Sequence, residues 1–502
     1  MLISARAGGA RVARTERPSR VTSTRSEIWI LIALVVIGAA LRFATIASQS
    51  YWFDEAQAAH EMRLSFAGLI DFMTAHETNP PLFFVLGWLW TKAFGTAESG
   101  LRSFSAAAGV AVIPITYLCG RELVSRRAGL IAAALAAVSP FMIWYSQEAR
   151  EYMLLAALSG ASLLWFARAL RVRSSRAIAW WALFSGLALL THSFAGFLVA
   201  PEALWLLWVA RNRASVIAVA VVAAVQLALL PLLFGHATHS LLGFIKATSL
   251  SMRAAQVPVG FALGTLYQGP FVDYGFLGAA VLAGLVILLL VGMSDGMELR
   301  GAGIAAALAA FVLLVPLVLA ALGEDYYIAR ALIPAWIPLA VVIGAACSPA
   351  RARLAGGALA VVLLAGCVYG QIRIQTEPRY QRTDWRGVAA ALGGARATRA
   401  IVVDDGLGTD PLAVYLPRVD WNTPSSAVSV SEVDVIGSPW QQAVSSSRAA
   451  LITSRVVDGN LVVRFRVRPR WTLTPAAIAS RAPALLGPAP PGAAVLVQRG
   501  AS

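Results

Sequence analysis

The sequence predicts a polytopic α-helical membrane protein of about eleven spans, closed by a C-terminal extracytoplasmic α/β domain. Three observations carry this. The 502-residue chain is 58% hydrophobic and only 13% charged, with a mean hydropathy of +0.69; soluble domains carry about a quarter charged residues. Apolar runs of spanning length recur from residue 28 to about residue 370. Beyond them the composition turns mixed and polar, which reads as a water-soluble unit over 371–502 of roughly 130 residues.

The first 27 residues form a basic tail with Arg6, Arg11, Arg14, Arg17, Arg20 and Arg25. It precedes a helix too long for a signal-peptide core and lacks a cleavage site, so it reads as a cytosolic anchor. The expected spans within 28–370 are 28–47, 101–120, 128–145, 152–170, 177–193, 194–210, 214–235, 273–293, 302–322, 331–347 and 353–370. The segment 81–95, "PLFFVLGWLWTKAFG", is short, opens on proline and carries Lys92. Positive charge decides its fate. If it lies flat in the interface, Arg121, Arg126, Arg127, Arg171, Arg173, Arg176, Arg211, Arg213, Arg300, Arg351 and Arg353 share the side of the Arg-rich N-terminus, which is the cytosol. If it spans, all of those later loops flip outward. The flat reading is therefore taken, with 48–100 as a long first outer loop.

The same arrangement explains the net charge of +15 as an orientation signal rather than a nucleic-acid footprint, because the arginines cluster between apolar runs. Cys119, Cys347 and Cys367 all fall in apolar spans, so no disulfide framework is available to the polar domain. On this topology the five histidines (His60, His76, His192, His236 and His239) lie at the outer face. So do Asp54, Glu55, Glu61, Glu77, Glu148, Glu151, Asp273, Glu324 and Asp325. Groups capable of acid/base and ligand work gather outside, which is where chemistry is expected.

Five outer stretches hold them. "WFDEA" sets Asp54-Glu55 just after the first span, beside an amphipathic segment around 56–75 that would lie as a shelf over the bilayer. As plain structure, the two acids are a solvated helix N-terminus. "YSQEAREYML" crowds Glu148, Arg150, Glu151 and Tyr152 into a short loop; Arg150 could simply pair with a neighbouring acid. Arg102 sits at the outer end of its span against the positive-inside bias, which suggests an anionic partner such as phosphate. His192 in "LLTHSF" and Tyr326, Tyr327 and Arg330 in "GEDYYIARALIP" complete the set. The sequence offers no Gly-rich phosphate loop and no Cys/His zinc spacing.

These residues resemble a known family. "DE" after the first span, "NPPLFFVLGWLW" with "FGTAESGLRSFSA", "SPFMIWYSQEAREYML", "LTHSF" and "YYIARALIPAWIPLA" resemble, in order and spacing, the GT-C glycosyltransferases. The nearest likeness is to the bacterial branch with protein O-mannosyltransferases and lipid A aminoarabinose transferases, over roughly 28–370. "DWRGVAAAL" and "AIVVDD" look like the extracytoplasmic tail of such members.

The resemblance implies inverting transfer of a sugar, mannose or a similar hexose or pentose, from a polyprenyl-phosphate donor. The acceptor would be a hydroxyl of a lipid, glycan or protein at the outer face of a bacterial plasma membrane. Asp54 would be the catalytic base with Glu55 in support. Arg102, Asn79, His192 and Arg330 would serve the donor phosphate, and Glu148, Arg150, Tyr152 and Tyr327 the substrates. His76 and Glu77 could hold a divalent metal (Mg, Mn or Ca), which some relatives use. Asn79 is a departure, standing where relatives commonly show His or Lys before the proline.

In the polar domain the pattern predicts a helix near 384–392, a strand at 400–404, a helix near 410–416, and strands at 461–467 and 494–498, with "ALLGPAPPGAA" as a loop. Asp404-Asp405 marks a strand end and reads as structural or substrate-facing. A transporter would place its ionisable groups at midplane in broken helices, which this sequence does not do. A non-catalytic scaffold or a flippase of polyprenyl-linked glycans is the rival reading.

Overall fold

A computed structural model describes residues 25–235, 245, 247–293, 296–349, 351–403, 407–421, 424–481, 483–486 and 493–500. The basic tail before Arg25, together with His236, His239, Asp404 and Asp405, lies outside the described residues. The membrane part opens with α1 (Arg25–Phe43), and the 48–100 loop then folds as α2 (Phe53–Glu61), α3 (Phe66–His76) and α4 (Leu82–Phe94). There follow α5 (Glu98–Leu123), α6 (Arg126–Val138), α7 (Pro140–Ser146), α8 (Tyr152–Val172), α9 (Ser175–Leu189), α10 (Gly196–Ala210) and α11 (Arg213–Gly235). Later helices are Leu250–Leu263, Gly275–Met293, Gly296–Ala321, Trp336–Ala346 and Arg353–Thr376.

Eight helices among the described residues are long and apolar enough to cross a bilayer, or nine with α6 and α7 as one broken span. The expected spans 177–193 and 331–347 correspond to helices of 15 and 11 residues, short for a hydrocarbon core of about 30 Å at 1.5 Å per residue. α4 has 13 residues and is likewise among the shorter apolar helices. The helix at Leu250–Leu263 has no counterpart among the expected elements.

The break between α6 and α7 has an identifiable cause. Pro140 has no N–H to give the carbonyl four residues back, and the two helices meet at 55°. Arg42, buried at the end of α1, answers the orphaned carbonyls: Nη2 donates to Ala136 O at 2.8 Å and Nη1 to Ala137 O at 3.0 Å. Its Nε donates to Ser146 Oγ at 3.0 Å. Gly109 of α5 lets this knot close, since a Cβ there would run into Ser146 and Arg42. Gln147 in turn caps α1, its Nε2 donating to Arg42 O at 3.0 Å and Thr45 Oγ1 at 2.9 Å. The loops after α1 and after α7 are thus fixed to each other.

The C-terminal domain is a five-stranded sheet of order β3-β4-β2-β1-β5, formed by β1 (Arg399–Val403), β2 (Val428–Gly437), β3 (Ala449–Val457), β4 (Asn460–Leu473) and β5 (Ala494–Gln498). Only β1 and β2 pair in parallel. Helices Trp385–Leu392 and Thr409–Tyr415 cover one face, burying Trp385, Val388 and Leu412 with Ile401 and Val462. β2 and β3 were not among the predicted strands. β3 is an edge strand exposed along most of its length, so it lacks the alternating apolar pattern that marks a half-buried strand.

This domain docks on the 48–100 loop. Tyr51 N–H donates to Tyr415 Oη at 2.7 Å, and that hydroxyl donates to Glu98 Oε1 at 2.7 Å. Ser50 Oγ donates to Thr383 O at 2.8 Å and accepts from Trp385 N–H at 3.0 Å. His60 of α2 stacks on Trp421 with ring centroids 3.9 Å apart and planes within 4°.

Candidate active site

α2 begins after the extended stretch at Trp52, and its first turn carries Asp54 and Glu55, where acids favour the helix dipole. Adjacent helix positions point about 100° apart, so the two carboxylates part ways. Glu55 turns inward and is fully buried. It accepts from Arg102 Nε (to Oε1) and Nη2 (to Oε2), both at 2.7 Å, and from Ala149 N–H at 2.8 Å. Burial favours its neutral form, but Arg102, Arg382 and these hydrogen bonds outweigh that and hold the carboxyl below the ordinary glutamate range. Arg102 gives its remaining N–H groups to Ile46 O (3.0 Å), Gln49 O (2.7 Å) and Ser50 O (2.9 Å). All the guanidinium donors are therefore spent on protein. The expectation that Arg102 holds the donor phosphate is corrected on that ground: it is a buried clamp between α5 and the loop leading into α2.

Asp54 turns the other way and is 20% exposed at its side chain. Arg330 Nη2 lies 3.6 Å from Asp54 Oδ2, itself 21% exposed, a looser pair than Glu55–Arg102. The Arg330 guanidinium lies over the rings of Trp52 at 5.4 Å and Tyr152 at 5.9 Å, an aromatic cradle for its planar cation. Tyr152 meets Tyr145 edge-on at 5.2 Å and lies 6.4 Å from the ring of His192. His192 Nδ1 accepts the amide of Phe194 at 3.1 Å, which puts the proton of the neutral ring on Nε2. Burial lowers its pKa, while Glu151 works the other way.

Behind this pair lies a second ring of charge from the loop after α7. Glu148 is buried, and Arg382 Nη2 donates to its Oε2 at 2.9 Å. Burial raises its pKa to about 7 even against Arg382 and Arg330. Arg150 pairs through Nε with Glu151 Oε2 at 3.0 Å. Glu77 accepts from Gln57 Nε2 at 3.2 Å and from the amide of Asn79; burial raises its pKa and Arg150 opposes this.

The fold thus brings Asp54, Glu55, Arg330, Glu148, Arg150, Tyr152, Glu77 and His192 to one neighbourhood, with Asn79 contributing its backbone beside Glu77. Tyr327 goes elsewhere: it is buried among Val257, Ala320 and Leu332, and its carbonyl accepts from Arg253 at 2.6 Å. The side chain of His76 lies outside the described residues. Among the described residues no three His, Cys, Asp or Glu side chains are grouped to hold a metal. Glu77 is engaged with Gln57 and the Asn79 amide.

Arg382 was not among the predicted site residues, nor were Trp52, Tyr145 and Asp410. A sequence signal for Arg382 existed in its place just before "DWRGV", but its partners are more than 200 residues away. Asp410 lies close enough to Asp54 for the two charges to interact, and burial lifts its pKa to about 6.

Residues 78–234 match the family model described as dolichyl-phosphate-mannose-protein mannosyltransferase. No curated protein matches the chain. Among solved structures, apo ArnT from Cupriavidus metallidurans is similar at 12% identity, covering 88% of this chain and 98% of that one with a TM-score of 0.53. The same protein bound to undecaprenyl phosphate aligns at 12% identity over 88% and 98% with a TM-score of 0.49. The oligosaccharyltransferase AglB from Archaeoglobus fulgidus, in complex with an inhibitory peptide and a dolichol-phosphate, gives 14% identity over 73% and 57% with a TM-score of 0.43. The likeness to apo ArnT is one of fold, and the fold is that of the GT-C glycosyltransferases, as the sequence resemblance implied.

Proposed function

We propose that the chain transfers a sugar from a polyprenyl-phosphate donor to an acceptor hydroxyl at the outer face of the membrane, with inversion, using Asp54 as general base. The observation that carries this reading is the division of labour in the first turn of α2. Glu55 is consumed by Arg102, while Asp54 next to it is partly exposed and faces an arginine. A base must reach the acceptor, and a leaving phosphate must meet a cation; the turn supplies Asp54, and Arg330 lies 3.6 Å from it.

The reaction balances simply. Asp54 takes the proton of the acceptor hydroxyl as its oxygen attacks the anomeric carbon from the face opposite the phosphate. The bond from that carbon to the phosphate oxygen breaks, its electron pair stays on oxygen, and polyprenyl phosphate departs. Arg330 meets the growing charge, and the Nε2–H of His192 lies in the same aromatic wall as a further donor. One displacement inverts the centre. Asp54 lies on α2, among the short helices α2–α4 between the first two long apolar helices; helices of this kind at a membrane surface would meet the head group of a donor with its tail in lipid. The donor named in the matching family description is of this class.

The test is direct transfer of radiolabel from undecaprenyl-phosphate-linked sugar into envelope membranes of a deletion strain by added purified protein. Label appearing in membrane material supports the enzyme; no transfer with any such donor would leave the scaffold or flippase reading.

A further inference from the structure

We infer that Arg382, from the segment leading into the C-terminal sheet domain, is a positioning residue for sugar transfer. It pins the Gln147–Glu151 loop against α2 so that Glu148 and Asp54 keep their places around the donor phosphate. This rests on the transferase reading above and adds to it a role for the C-terminal segment.

The geometry is that of a clamp with one side aimed at the chemistry. Arg382 is nearly buried, its side chain 6% exposed. Its Nη2 donates to Glu148 Oε2 at 2.9 Å and its Nη1 to Gln147 O at 3.1 Å. Its Nε lies 3.8 Å from Glu55 Oε2, and the guanidinium sits 4.4 Å over Trp144. Its own amide donates to Gln49 Oε1 at 2.9 Å. One residue therefore ties together the loop after α1, the inward acid of α2 and the acidic loop after α7. The segment carrying Arg382 and the loop after α7 are more than 200 residues apart in sequence, and Arg382 adds its own link to those that Arg102 and Gln147 make there.

Simple cross-linking would be satisfied by an apolar plug of the same size. Two features point further. Arg382 engages only Oε2 of Glu148, and Oε1 takes no hydrogen bond among the described residues. The groups close enough to Glu148 to shift its charge are Arg382, Glu55, Arg330 and Asp54, with the hydroxyls of Tyr145 and Tyr267. Arg382 thus holds one oxygen of Glu148 and leaves the other without a hydrogen bond among the described residues, in a carboxylate that feels the charges of both Arg330 and Asp54. It also opposes the burial that pushes Glu148 toward its neutral form.

The experiment compares full-length R382Q, R382K, E148Q and E148Q/R382Q, each checked for a wild-type elution profile and melting point in detergent. Transfer from radiolabelled undecaprenyl-phosphate mannose into envelope membranes is measured against pH and donor concentration. R382Q is expected to lower kcat about tenfold or more while the donor KM moves less than about threefold. The limb of the pH profile that depends on Glu148 should move to higher pH, because a positive charge that favours the carboxylate has gone. R382K should keep that limb near its wild-type position with an intermediate kcat. In the E148Q background R382Q should cost less than about threefold, the signature of two residues acting as one unit. Wild-type kcat in R382Q, or in R382K should R382Q fail to fold, would overturn the inference alone, as would a full R382Q effect in the E148Q background. No transfer by wild-type protein with this or other polyprenyl-phosphate sugars would overturn the transferase reading and this inference with it.

Discussion

Glu55 and Arg102 meet in a two-point ion pair inside the protein, with Nε–Oε1 and Nη2–Oε2 both at 2.7 Å and neither side chain reaching solvent. The pair assigns work to its neighbours. With Glu55 committed, Asp54 is the acid of that turn that can meet substrate. With every donor of Arg102 committed, the cation beside Asp54 is Arg330, which is why the proposed mechanism gives it the phosphate.

Arg102→Ala should therefore act on folding before it acts on donor affinity. It strands a buried carboxylate and leaves three backbone carbonyls without their donor, a loss of about 3–5 kcal/mol. Thermal unfolding in detergent should show a markedly lower midpoint. A well-folded Arg102→Ala protein with only a raised donor KM would restore a phosphate role to Arg102.

Arg330→Ala should leave the fold in place, because the residue is partly exposed and its pair with Asp54 is loose. Turnover should fall by about 10²–10³, the scale for removing one preorganised donor at a developing anion. Arg330→Lys keeps the charge but not the planar contact with Trp52 and Tyr152, and should recover only part. Normal transfer by Arg330→Ala would remove the residue from the phosphate site.

Glu148 gives the site a proton that is lost near neutrality. Burial lifts its pKa to about 7, so the wild-type rate should change as pH rises through that value and the carboxylate forms. Glu148→Gln cannot ionise and should flatten that limb of the kcat profile. An unaltered limb in Glu148→Gln would mean that another group titrates there.

The orientation is checked by labelling. In a background lacking Cys119, Cys347 and Cys367, Trp440→Cys on the exposed surface of the sheet domain should react with an impermeant thiol reagent in intact cells. Ser125→Cys, beside the basic start of α6, should be protected until the cells are opened. Labelling at 125 in intact cells would invert the topology.

What was legible in the sequence follows physical scale. The membrane class came from composition, whereas the placement of 81–95 relative to the bilayer rests on the charge of loops far downstream of it. Asp54 and Glu55 could be singled out together because they adjoin a span, but their separation into one exposed and one buried acid depends on the helix phase of α2 and on Arg102, 47 residues on. Arg102 was conspicuous for lying against the positive-inside bias, and the anion that explains it is Glu55 rather than a phosphate. Tyr327 looked equivalent to its neighbours in "YYIAR", yet it is buried in an apolar cluster while Arg330 turns to the site. Arg382 stood beside a noted motif, but its role could not be read because its partners are brought to it from more than 200 residues away. The bend at Pro140 went unread, since 128–145 was taken as one span, and the carbonyls freed by the proline find Arg42 only in three dimensions.

The most direct test of the central claim is the transfer rate of purified Asp54→Asn protein, measured beside donor binding. The substitution keeps size and polarity while removing the basic oxygen, so fold and donor binding should survive and kcat should drop by at least about a hundredfold. Glu55→Gln, which touches the clamp rather than the substrate, should lower stability more than it lowers the rate of the folded fraction. Near-normal transfer by Asp54→Asn, with transfer abolished by Glu148→Gln or Glu151→Gln, would contradict the assignment and place the base in the loop after α7.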